Sequence, residues 1–84
     1  MKKKQEIINE MVRTVRNIRD AKGNADCFYS EDAIIHNMNE YFTGLSYALS
    51  IVTSNMYSWS NGEDGQDWKV VEILTGGTEK YYQV

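Results

Sequence analysis

The apolar positions of this chain change period along its length. From Ser30 to Trp59 they are Ile34, Ile35, Met38, Tyr41, Phe42, Leu45, Ala48, Leu49, Val52, Met56 and Trp59. Met38, Phe42, Leu45, Leu49, Val52, Met56 and Trp59 follow an unbroken four-then-three step, the seam of a helix that packs on another helix. No other stretch carries as much apolar surface, so this one is expected to supply most of the core. Upstream, Ile7, Ile8, Met11, Val12, Val15 and Ile18 recur at helical spacing and predict a first helix over 2–22. Glu6, Asn9, Arg13 and Asp20 fall on its opposite face. Arg16 and Arg19 lie beside the apolar stripe, where their stems cover it and their heads reach water.

Gly23-Asn24 is a suitable end for that helix, since both residues accept a left-handed C-terminal cap. Ala25 to Tyr29 forms a short connector carrying Cys27 and Phe28. Ser30 is a good N-cap, with Glu31 and Asp32 in the first turn, where negative charge is favourable. A connector this short predicts an antiparallel helical hairpin.

Beyond Ser54-Asn55 the pattern weakens. Residues 55–59 can be read as a continuation of the second helix or as a short strand near 56–60. Ser60 to Gln66 is a break with two glycines and no apolar residue. Trp68 to Leu74 then reads as a strand, rich in β-branched and aromatic residues. Thr75-Gly76-Gly77-Thr78 predicts a two-residue turn of type I′, and Glu79 to Val84 the returning strand. That turn would set Leu74 opposite Glu79 and Val71 opposite Tyr82. Val71, Ile73, Tyr82 and Val84 would then share the buried face, with Trp68 and Tyr81 on the other. The fold class is therefore α+β, in the order helix, helix, strand, strand, within one domain spanning 1–84.

Composition narrows the function classes. A chain of 84 residues has a thin margin of stability unless it oligomerises or carries staples. Cys27 is the single cysteine, so an intrachain disulfide is excluded and a reducing cytoplasm is expected. Met1-Lys2-Lys3-Lys4 resembles the basic start of a signal peptide, but Gln5, Glu6, Asn9, Glu10 and Arg13 interrupt the apolar run that should follow. No run is apolar enough to cross a membrane. Charge is uneven. Residues 1–22 hold seven basic and three acidic side chains, and 23–84 hold two basic and nine acidic. Glu6, Glu10 and Asp20 dilute the basic segment, so direct nucleic-acid binding is not expected.

Candidate chemistry is sparse. Asp32, His36 and Glu40 recur every four residues and put the only imidazole between two carboxylates. Catalytic zinc usually takes more than one histidine, so a surface histidine with helical ion pairs is the reading adopted. Cys27 and His36 have no third partner and no oxyanion-hole motif to make them a nucleophile and base. Gly76-Gly77 precedes no helix and is no phosphate loop. No catalytic residue, metal ligand or cofactor is assigned.

Binding is the remaining possibility. Trp59, Trp68 and Tyr81, beside the acidic Glu63, Asp64 and Asp67, offer an aromatic and acidic surface suited to gripping another molecule. Glu72 and Glu79 add to that acidity, which can imitate phosphate charge. Arg13, Arg16 and Arg19 are candidate anion contacts. Gly44, Tyr47, Ala48 and Ile51 place apolar surface on the second helix away from its main seam. The β-hairpin could cover it. Alternatively, a symmetric pairing of second helices would bring Gly44 near its own copy and bury Tyr47 with Ile51.

The expectation is a small cytoplasmic interaction protein, an inhibitor or adaptor of a partner protein, self-associated through its second helix. Chains of this size and type are common among bacterial and phage accessory proteins. Two other readings stay open. One is a small-ligand or nucleotide binder using aromatic stacking and the arginines. The other is a purely structural oligomer.

Overall fold

The computed structural model describes residues 2–23 and 31–84. The order is α1 (Lys2–Gly23), α2 (Glu31–Thr53), β1 (Met56–Ser60), β2 (Lys69–Ile73) and β3 (Glu79–Gln83). The strands form one antiparallel sheet in the order β1-β2-β3. The architecture is the α+β arrangement read from the sequence, and the short segment near 56–60 is a third strand. Asn24, the connector with Cys27 and Phe28, and the Ser30 cap lie outside the described residues, as do the side chains of Glu31, Asp32 and Ile34.

The helices pack antiparallel: Lys4 at the start of α1 and Asn55 just beyond the end of α2 meet on Glu72, and Tyr41 from the middle of α2 donates its hydroxyl to Glu10 in the middle of α1, at 3.3 Å. The α1 stripe is as expected, with Ile8, Met11, Val15 and Ile18 fully buried. From α2 come Phe42 and Leu49, and from the sheet Tyr57, Trp68 and Val70. Met38 and Leu45 are half-buried against this cluster.

The long α2 seam does not run its full predicted length. Ser54 takes a left-handed φ of +64°, and its N–H donates to the Ser50 carbonyl at 2.8 Å, closing the helix. Met56 and Trp59 then leave the helical period and follow the two-residue period of a strand. Trp59 turns to the core side of the sheet beside Val70, while Met56 is exposed on the other face. Val52 also stays 61% exposed, because neither α1 nor the sheet reaches that flank of α2.

The hairpin register differs from the expected one by one residue. Val71 pairs with Tyr81 and Val70 with Tyr82. The connection is three residues, Thr75-Gly76-Gly77: the Gly77 N–H donates to the Leu74 carbonyl and the Leu74 N–H to the Thr78 carbonyl, both at 2.8 Å. Of the two glycines only Gly77 has positive φ, +90°, as in a type I turn followed by a left-handed residue. A slip of one residue turns every side chain over. Trp68, Val70, Glu72, Tyr82 and Val84 thus share the face towards the helices, while Val71, Ile73 and Tyr81 share the outward one, where Val71 in the central strand is still buried, as expected of it. The register that prevails buries an indole and seats two tyrosine hydroxyls on Glu72, which the two-residue turn would have pointed outwards.

Two outcomes follow. Gly77→Val should cost well over ~1 kcal/mol, because a β-branched residue resists positive φ, whereas Gly76→Ala should stay within about 0.5 kcal/mol. Equal losses at both positions in denaturant melts would restore the two-residue turn. Leu49→Ala should cost roughly 2–5 kcal/mol and His36→Ala almost nothing, by the same measurement.

Candidate interaction surface

Helix α2 presents three longitudinal strips. Ile35, Met38, Phe42, Leu45 and Leu49 join the core. Asn39, Ser46 and Thr53 lie under the sheet. There Asn39 accepts from the Trp59 indole at 3.0 Å, Ser46 donates to the Tyr57 carbonyl at 3.1 Å, and Thr53 meets the Tyr57 hydroxyl at 3.0 Å. The third strip holds Gly44, Tyr47, Ala48 and Ile51, all exposed, with Tyr47 and Ile51 at 70% and 68%. Tyr41 and Val52 flank it and are exposed too. The β-hairpin therefore does not cover these residues: the sheet sits on the polar strip beside them. No Asp, Glu, Lys, Arg or His occurs from Tyr41 to Gly62, so the strip carries no formal charge.

The aromatic and acidic set divides differently. Trp59 and Trp68 stack on each other, with ring centroids 5.7 Å apart and planes 9° from parallel. Trp68 is only 9% exposed, and its indole N–H donates to the Gly65 carbonyl at 3.2 Å. Its register places it inwards, correcting the outward position expected for it. Tyr81 does lie outwards and exposed, below Lys69 and hydrogen-bonded to Glu79.

The loop between β1 and β2 is folded on itself. The Asp67 N–H donates to Asn61, Asp64 accepts from the Gln66 N–H at 2.9 Å, and Asp67 pairs with Lys69 at 2.8 Å. Glu63, Asp64 and Asp67 line an open recess of about 670 Å³ with Ser60, Gly62 and Lys69. Gly62 is required there, since a Cβ would meet that of Asp67 at 2.9 Å.

The arginines do not converge on one point. Arg13 pairs with Glu10 and Arg19 with Asp20, while Arg16 is exposed. His36 is exposed and lies 3.4 Å from Glu40. Among the described residues, no three His, Cys, Asp or Glu side chains gather closely enough to hold a metal ion.

Glu72 departs most from the sequence reading. Expected on the acidic surface, it is 0% exposed and faces the helices. Its Oε2 accepts from the Tyr57 hydroxyl at 2.5 Å and Asn55 Nδ2 at 3.0 Å, and pairs with Lys4 Nζ at 3.1 Å. Its Oε1 accepts from the Tyr82 hydroxyl at 2.9 Å. Burial by itself would push this carboxyl up, but the donors from Tyr57, Asn55, Tyr82 and Lys4 outweigh it and bring it from 4.5 down to about 2. Burial and the adjacent Glu72 push Tyr82 up to about 12, and the same causes raise Tyr57. A carboxylate held this way is a fixed buried anion. The signal in the sequence was its alternation with Trp68 and Val70, which becomes informative only once the register is known.

No family model, no curated protein and no solved structure matches this chain.

Because the folded state depresses the Glu72 carboxyl, its contribution is complete above the ordinary value of 4.5 and is lost as pH falls towards 2. Thermal midpoints should drop across that window, and Glu72→Gln should flatten the drop. At neutral pH, Tyr82→Phe should cost about 1.5–3 kcal/mol, since the lost hydrogen bond runs to a charged group. Tyr81→Phe should stay within about 0.5 kcal/mol. Equal melting of the two phenylalanine variants would show that the Glu72 contacts contribute little.

Proposed function

We propose that this is a non-enzymatic interaction protein, an adaptor or inhibitor of the accessory type, whose working surface is the outer strip of α2. The observation that carries this reading is the exposure of Tyr41, Tyr47, Ile51 and Val52 around Gly44 and Ala48, on a stretch without formal charge. Continuous exposed apolar surface of this kind is uncommon on monomers and typical of interfaces, whose centres are depleted of charge. Glu63, in the β1–β2 loop, and Tyr81, on the outward face of the sheet, are exposed as well.

The small-ligand reading has less support, because the two indoles use their faces on each other and Arg13 and Arg19 are paired within α1. A single cysteine suits a reducing compartment, and we place the protein in the cytoplasm. None of the described helices is long and apolar enough to cross a membrane.

The test is photo-crosslinking in the producing cell, with a benzophenone side chain in place of Tyr47 and, as control, of Glu6 on the solvent face of α1. Position 47 should yield a protein adduct and position 6 none. Absence of an adduct at 47, or equal adducts at both positions, overturns the reading.

A further inference from the structure

We infer that the occupant of the outer α2 strip is a second copy of the same chain, its α2 antiparallel to the first about a two-fold axis between Tyr47 and Ala48. This rests on the reading of that strip as an interface and names its partner.

The protein exposes more surface than a compact monomer of its mass, by about the area one partner covers. The protein exposes 5733 Å². A monomer of its mass, 9.7 kDa, is expected to expose about 5,100 Å². The surplus of about 600 Å² matches what each partner loses in the smaller stable interfaces. The radius of gyration is 13.3 Å, where a compact chain of this length would have about 12 Å. Among the described residues, four of the six exposed large apolar side chains, Tyr41, Tyr47, Ile51 and Val52, belong to α2.

The strip is complementary to itself. It holds both protrusions, Tyr47 and Ile51, and depressions, Gly44 and Ala48. A Cβ built at Gly44 would meet nothing within 4 Å, so the depression is open. An axis at the middle of the strip from Gly44 to Ile51 brings its two ends into contact. In that register Ile51 faces the partner copy's Gly44, Tyr47 faces the partner copy's Ala48, and Tyr41 lies near the partner copy's Val52. Gly44 then meets a side chain rather than its own copy, which removes the idle gap of a glycine pair. Each contact occurs twice, as a two-fold requires.

Charge favours this direction and this partner. A foreign partner is commonly selected by complementary charge, and the strip offers none. A parallel pair would set Glu40 beside its own copy. The antiparallel pair separates the two by about 15 residues of helix, or about 22 Å, and opposes the helix dipoles.

The experiment combines mass and crosslinking. Light scattering at tens of micromolar should give the mass of two chains for the wild type and of one chain for Tyr47→Glu/Ile51→Glu. Helical circular dichroism should be unchanged, since both residues are exposed in one chain. In a Cys27→Ser background, Ala48→Cys should crosslink oxidatively to its own copy and Tyr41→Cys should not. Crosslinking at both positions would mean a parallel pair and overturn the register. A wild-type mass of one chain at high micromolar concentration overturns the second copy, as does a position-47 photo-adduct with a different protein. In the latter case the strip remains an interface, so the partner fails while the functional reading stands.

Discussion

The carboxylate of Glu72 is the point on which the five elements meet. Lys4 reaches it from α1, Asn55 from the exit of α2, Tyr57 from β1 and Tyr82 from β3, while Glu72 itself sits in β2. Thr53, the last residue of α2, adds a contact to the Tyr57 hydroxyl. An unpartnered buried anion would cost several kcal/mol, so the fold tolerates Glu72 because these groups together surround it. That makes the contact specific rather than merely attractive. Other registers of β2 against β3 would bury the carboxylate without Tyr82 or turn it outwards. The apolar core, made of interchangeable aliphatic surface, penalises such slips less. A chain of 84 residues with no disulfide gains definition from one demanding polar cluster that its small core does not supply.

The same cluster explains why the sheet sits where it does. Ser54 and Asn55 turn the chain out of α2, and Asn55 is then held by Glu72 and by the Thr53 hydroxyl, which accepts its N–H. The entry of β1 is thereby fixed relative to the end of α2, and Ser46 and Asn39 anchor the rest of the strand along the polar strip of the helix. Since the sheet is committed to that strip, it leaves the neighbouring one open. The exposure of Tyr47 and Ile51 is thus a consequence of where the polar contacts of α2 lie, and any partner that covers them has to come from outside the described chain.

Much of the fold was legible because it rests on periodicity. The α1 stripe, the α2 core positions Phe42 and Leu49, and the break after Ser60 follow from spacing and turn chemistry, whereas the apolar seam running on through Met56 and Trp59 left the end of α2 open. What the sequence concealed depends on register. Two adjacent glycines allow either a two-residue or a three-residue connection, and only Gly77 in fact uses its freedom. That difference of one residue decided the facing of Trp68, Tyr81 and Glu72. The acidic appearance of the C-terminal region was misleading for the same reason. Glu72 is consumed in the interior, Asp64 caps a backbone N–H and Asp67 pairs with Lys69, so three of the acids that suggested a binding surface serve the chain's own structure.

The candidate surface was legible in a different sense. Tyr47 and Ile51 stood out because they sat on the wrong side of a helix whose seam was already accounted for, and spacing alone placed them there. Spacing could not say whether the sheet or another molecule would cover them, because that depends on which strip of α2 the strands choose. The polar residues of α2 hold that information. Asn39, Ser46 and Thr53 are the groups able to satisfy a strand's carbonyl, an indole N–H and a tyrosine hydroxyl, and they line one strip only. In a helix with two candidate apolar faces, the polar side chains between them mark where the chain's own sheet will dock. The strip of Tyr47 and Ile51, to which the sheet makes none of these bonds, is the one left for a partner.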